Sequence, residues 1–198
     1  RLWACGRGIL GLLCALPASA GDQVRPADRY FTTSAFWVGA DADRKADRGA
    51  GVGAGFGWWT APRLWTEVRL FGTILETETE NSSDFYQKGA GLDLVYQLHP
   101  QGGSGLYAVA GGGVIQDDVT PDSGDSTNGY VNAGLGYRSM PLGNWGIRLR
   151  TEARWMNDRY AGGLNDFILG FTLEIPSARE IVRVFDRSVV AATPGVAP

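Results

Sequence analysis

Between Trp145 and Trp155 apolar and charged residues alternate almost one for one. Trp145, Ile147, Leu149, Ala153 and Trp155 share one parity, with Thr151 the exception, and Arg148, Arg150, Glu152 and Arg154 share the other. Successive side chains of a strand point to opposite faces, so this run is an extended segment with one apolar wall and one ionic wall. The pattern recurs. Leu64, Val68, Leu70 and Ile74 oppose Glu67 and Arg69; Ala90, Leu92, Leu94, Tyr96 and Leu98 oppose Asp93 and Gln97; Phe167, Leu169, Phe171, Leu173 and Ile175 oppose Asp166, Thr172 and Glu174.

Turn signals cut the chain into eight strand-sized runs near 29–40, 49–58, 63–75, 85–98, 105–116, 129–138, 145–156 and 165–175. In the first and fifth either parity is tolerable. The connections after the even runs are tight: Trp59 to Pro62, His99 to Ser104, and Ser139 to Asn144. Those after the odd runs are polar: Asp41 to Arg48, Glu76 to Asp84, Asp117 to Asn128, and Asn157 to Leu164. An up-and-down barrel threaded through a membrane predicts this alternation, with short periplasmic turns and longer outer loops. A tilted strand of roughly 11 residues reaches about 28 Å, which suits an apolar band of about 25 Å.

A period of two does not say which face is inside, since a soluble barrel would turn the apolar face inward. Three features favour the membrane. Glycines 49, 51, 53, 55 and 57 leave one face of the second run bare. That face is poor for solvent, but it gives long arginines from across a narrow lumen room to pack. Trp58, Tyr96, Tyr137 and Trp145 stand at strand ends beside the short turns, as an interfacial aromatic girdle does. The third is an export signal: Arg1 and Arg7, the apolar run Ile9 to Leu16, and the small residues Ala18-Ser19-Ala20. Residues 1–20 are therefore read as a signal peptide, too short in its apolar part for a membrane span of about twenty residues. Cleavage would take two of the 18 basic residues and none of the 21 acidic ones, leaving a net charge of −5, and would remove Cys5 and Cys14, the only cysteines. Residues 21–176 are assigned to an outer-membrane barrel whose two ends lie in the periplasm. Residues 177–198 are assigned to a periplasmic tail: Ile181, Val182, Phe185 and Val189 at helix-like spacing, then the linker-like Ala191-Ala192-Thr193-Pro194-Gly195.

Residues 29–176 resemble the eight-stranded transmembrane domain of the OmpA family. The most local likeness is Gly170-Phe171-Thr172-Leu173-Glu174-Ile175, which resembles the signal read by the barrel-assembly machinery, although Ile175-Pro176 replaces the usual terminal aromatic. The resemblance implies outer-membrane lipid and lipopolysaccharide as surroundings. It also implies peptidoglycan as a partner where a further domain follows the linker.

The candidate lumen charges are Glu67, Arg69, Asp93, Arg138, Arg148, Arg150, Glu152, Arg154 and Glu174, five cations and four anions. Charges confined this closely must pair or hold water, because an unpaired one costs several kcal/mol. One network across the third, fourth, seventh and eighth strands is expected. In it Arg148, Arg150 and Arg154 would reach Glu174 next door and Glu67 or Asp93 across the barrel. It would act as a plug that closes the lumen; a narrow ion path with rearranging pairs is the other reading, and a surface adhesin working through the outer loops is a third. Enzymatic chemistry is not expected, because His99 is the only histidine and sits in a turn with no serine nucleophile motif. The acids Asp117, Asp118, Asp122 and Asp125 do not have EF-hand spacing and read as a solvated loop. The glycine run lacks phosphate-loop spacing, and an acidic chain is a poor nucleic-acid binder. No metal, cofactor or nucleic acid is therefore expected.

Overall fold

The structure, a computed structural model, describes residues 27–44, 46–77, 85–98, 103–119, 126–159 and 162–177. Eight antiparallel strands close on themselves in sequence order: β1 (Arg29–Gly39), β2 (Ala46–Ala61), β3 (Leu64–Thr77), β4 (Phe85–Gln97), β5 (Gly105–Val119), β6 (Ser126–Arg138), β7 (Arg148–Asp158) and β8 (Leu164–Pro176). The seam is a ladder like the others, running from Tyr30 opposite Pro176 to Gly39 opposite Phe167. Closure removes every sheet edge, so a chain without disulfides in its barrel needs no other device to protect one. The expected eight-stranded up-and-down barrel is borne out.

The strand ends differ from the sequence reading. β2 starts at Ala46, β5 runs to Val119 and β6 starts at Ser126, all further toward the long-loop side than alternation indicated. Backbone pairing continues there after the apolar face has ended, and side-chain parity does not report pairing. β7 starts at Arg148, not at 145, because Gly143–Trp145 form a 3-10 turn closed by Gly146 at φ 68°. Trp145 is therefore a turn residue and not part of the β7 face. The β2–β3 turn narrows to Pro62-Arg63, with Arg63 held at φ 65°.

The apolar face is outside. Val52, Leu135 and Phe171 are each more than 60% exposed, while Asp93, Arg138 and Asp158 are fully buried. β1 turns Tyr30, Thr32, Phe36 and Val38 inward and β5 turns Tyr107, Val109, Ile115 and Asp117 inward, which settles the two undecided strands. The glycine face of β2 does line the lumen, but not for arginines from across it. Gly57 stands opposite Tyr30, Gly55 opposite Thr32, Gly53 opposite Ser34 and Gly51 opposite Phe36. A Cβ at Gly57 or Gly51 would enter the Tyr30 or Phe36 ring, and one at Gly55 would come within 2.6 Å of Thr32 Oγ1. The same large-beside-small pairing places Gly89 next to Phe71 and Gly136 next to Tyr107. Neighbouring inward positions thus share the width of a narrow barrel.

Candidate functional site: a closed, layered lumen

From the short-turn end outward the lumen is filled in layers. Tyr30, Trp65, Val95, Tyr107 and Val109 pack at that end. Arg138, at the end of β6, enters this aromatic cage with its guanidinium 5.3 Å from the Trp65 ring centroid and 5.7 Å from that of Tyr30. It donates to Gln97 Oε1 at 3.2 Å, and its Nε lies 3.0 Å from Glu174 as an ion pair without hydrogen-bond alignment. Arg148 donates to the turn carbonyls of Gly103 at 2.9 Å and Ser139 at 3.2 Å.

The next layer is ionic. Arg150 donates to Glu67 at 2.8 Å, to the Tyr107 hydroxyl at 3.3 Å and to Glu152 at 3.5 Å. Tyr30 and Tyr107 donate in turn to Glu67 and Glu152, at 3.2 and 2.8 Å. Arg154 grips Glu152 with Nε at 2.7 Å and Nη2 at 3.2 Å, a two-point geometry, and reaches Asp93 with Nη1 at 2.5 Å. Asn132 donates to the other Asp93 oxygen at 2.9 Å, and Arg69 lies 3.7 Å from Asp93 while its guanidinium stacks 5.2 Å from the Phe71 ring. Charge-assisted bonds of this kind are the strong ones, and each carboxylate here has at least one cationic neighbour.

All nine charges named from the sequence point into the lumen. Their pairing differs from the expected one: Glu174 is met by Arg138 at 3.0 Å and Arg150 at 3.9 Å, Arg148 donates to the turn carbonyls, and Arg154 turns to Asp93 and Glu152. For Arg154 the cause is stagger. Arg148 stands opposite Glu174 in the β7–β8 register, and Arg154 stands six residues further along the strand.

Two layers were missed. Above the ionic one lies an apolar plug that includes Phe36, Phe71, Leu75, Phe85, Ile115, Tyr130 and Met156. Above that, Arg44 drops in from a 3-10 turn, Ala42–Arg44, between β1 and β2. Its guanidinium meets Asp166 at 2.8 Å, Asp117 at 3.5 Å and also Asp158. Burial opposes the Arg44 charge, but Asp166, Asp158 and Asp117 outweigh it and hold its pKa above the ordinary guanidinium value. Nothing in Asp41-Ala42-Asp43-Arg44 distinguishes this latch from a solvated loop. Asp117, read as part of such a loop, is 1% exposed and accepts from Gln87 at 3.0 Å, because β5 carries it inside. Asp118 is half-exposed on the opposite parity; Asp122, Asp125, His99, the leader and the tail lie outside the described residues.

The outer wall carries aromatics at both ends. Trp58 and Tyr96 are half-buried, and Tyr137 and Trp145 are 51% and 62% exposed, all near the short turns. Trp37, Tyr86, Trp155 and Phe167 form the other end's set, which reading the short turns alone did not pick out.

This architecture matches solved structures. Neisserial surface protein A superposes with a TM-score of 0.53 at 16% identity, covering 75% of this chain and 97% of its own. The fold is that of an eight-stranded outer-membrane barrel. Ail, the attachment invasion locus protein of Yersinia pestis, gives 0.49 at 13% identity over 75% of this chain and 99% of its own. The N-terminal barrel domain of Pseudomonas aeruginosa OprF gives 0.45 at 14% over 75% and 98%. No protein-family model matches the sequence, and no curated protein matches it.

Proposed function

We propose that the protein is a non-conducting, non-enzymatic barrel that serves the outer membrane as a structural or anchoring element. The observation that supports this most directly is the filled lumen. Beside the ionic layer, between Thr32, Glu67, Arg69, Glu152, Arg154 and Thr172, the free volume is about 10 Å³, room for one water at most. An ion crossing the barrel would have to part Arg154 from Asp93 and Glu152, displace the apolar plug and lift Arg44 from three aspartates. The first and last steps leave buried charge uncompensated, which costs several kcal/mol, and the plug offers the ion no charged partner. The sequence adds a chemical argument, since one histidine and no serine nucleophile motif leave no proton-relaying pair of the kind hydrolases use.

Planar-bilayer recording of the purified protein tests the reading. A silent barrel is expected. Stable unitary conductance, altered by Glu67→Gln or Arg148→Gln, would overturn it in favour of a narrow ion path.

A further inference from the structure

On the lipid-facing wall, toward the long-loop end, lies a groove of about 470 Å³. Its floor is Gly72, and Val52, Ile74, Tyr86, Lys88 and Asp118 flank it. Val52, Gly72 and Lys88 stand in one row across β2, β3 and β4, and Ile74, Tyr86 and Asp118 stand in the next row outward across β3, β4 and β5. Gly72 is unlike the lumen glycines. A Cβ there would meet nothing nearer than the Gln87 carbonyl at 3.7 Å, so protein packing does not demand a glycine and the space over it is open. Lys88 shares the exterior parity of Tyr86 and Leu92, and neither Lys88 nor Asp118 has an ion pair or hydrogen bond with a described residue. A lone ammonium on a wall that otherwise meets acyl chains is costly unless something anionic joins it.

From the open apolar floor and these two charges, unpartnered among the described residues, we infer a lipid site that takes a phosphoethanolamine-headed phospholipid: one acyl chain over Gly72, the phosphate at Lys88 and the ammonium at Asp118. The charge order fits a lipid seated from this end. Lys88 is the deeper group and Asp118 stands one row outward, about 6.6 Å along the strand for two residues. The phosphate of such a lipid likewise lies deeper than its amine. The site as a whole is neutral, which favours a zwitterion over an anionic lipid, and Asp118 can accept from a primary ammonium but not from a quaternary one.

Native mass spectrometry of the folded, detergent-purified protein tests this, with phosphatidylethanolamine, phosphatidylcholine, phosphatidylglycerol and lipid A as probes, the three phospholipids sharing the same acyl chains. Phosphatidylethanolamine should be retained over phosphatidylcholine by roughly fivefold, the equivalent of an interfacial ion pair of about 1 kcal/mol. Asp118→Asn should bring the two to equal retention. Lys88→Gln should lower both, and Gly72→Leu should lower all lipids; every variant is first checked for wild-type heat-modifiable migration. Equal retention of the two zwitterions by the wild type, no effect of Asp118→Asn, or stronger retention of lipid A would overturn the inference. Because Asp118→Asn barely touches packing, that arm remains decisive if Gly72→Leu fails to fold.

Discussion

Replacing Arg150 with alanine removes the central cation of the ionic layer. In the wild type Arg150 is 1% exposed and holds Glu67, itself 2% exposed, at 2.8 Å. Without it Glu67 keeps one neutral donor, the Tyr30 hydroxyl at 3.2 Å, and Glu152 keeps Arg154 at 2.7 Å. The loss therefore concentrates on Glu67, an anion that among the described residues keeps no cation at bonding distance and has only waters entering the vacated guanidinium space to replace one. Stranding one partner of a buried pair costs about 3–5 kcal/mol. The molecule supplies its own control: Arg48 and Glu76 form a 3.5 Å pair whose side chains are 62% and 72% exposed, and breaking it should cost about 1 kcal/mol at most. Urea unfolding in lipid vesicles, followed by tryptophan fluorescence and heat-modifiable migration, measures both. Glu67→Gln in the Arg150→Ala background should recover a substantial part of the loss, because it removes the stranded charge while keeping the side-chain volume. Equal, small effects of Arg150→Ala and Arg48→Ala would refute the reasoning, since they would mean that water reaches the lumen layer as freely as the rim.

Gly57→Ala would push a methyl into the Tyr30 ring and should cost about 1–3 kcal/mol in the same unfolding assay, whereas Gly129→Ala, with nothing nearer than 3.9 Å, should be near neutral. Arg63→Gly relieves a non-glycine residue at φ 65° and should stabilise the barrel by about 1 kcal/mol, read as a higher unfolding midpoint. At the outer loop, the backbone N–H groups of Asn165 and Asp43 hold the Asp41 carboxyl below its ordinary 3.8. A depressed acid contributes its stabilisation above the unfolded value and loses it as pH falls through the folded one, so protection of the Asn165 amide from hydrogen exchange should be full at neutral pH and fade below about pH 4. Asp41→Asn should remove that pH dependence.

What the sequence made legible follows from where opposite chemistries face each other. β3, β4, β7 and β8 each carry charge on one parity and apolar residues on the other, so their inward sets were readable without coordinates. β1 and β5 were not, because Thr32, Ser34, Val109 and the glycines 111–113 suit either side. Strand ends beyond the apolar band were equally hidden, since at Ser126 to Asn128 both parities are polar while the backbone ladder continues to Asp117. That blind spot is what disguised Asp117 as a loop acid and concealed the site Arg44 fills.

The glycine face shows a second limit, and it bears on how the barrel closes. Alternation correctly put glycines 49–57 in the lumen, but a parity argument knows only which side a residue faces and not who stands beside it. Register supplies that: the bulky inward residues Tyr30 and Phe36 lie directly opposite Gly57 and Gly51. Because the β1 rings spread over β2, the arginines of β7 are left the central space, where they meet Glu67 and Asp93 from β3 and β4. Filling the β2 face with small side chains would therefore disturb the ionic layer without touching a charge. Gly55→Ala tests this directly. A Cβ there comes within 2.6 Å of Thr32 Oγ1, 2.8 Å of the Val68 carbonyl and 3.6 Å of Glu67 Oε1. It should destabilise the barrel by about 1–3 kcal/mol, and it should do so less in the Thr32→Ala background, where the hydroxyl is gone. Additive effects of the two substitutions would show that the glycine serves the backbone approach to Val68 and not the packing of β1 into the lumen.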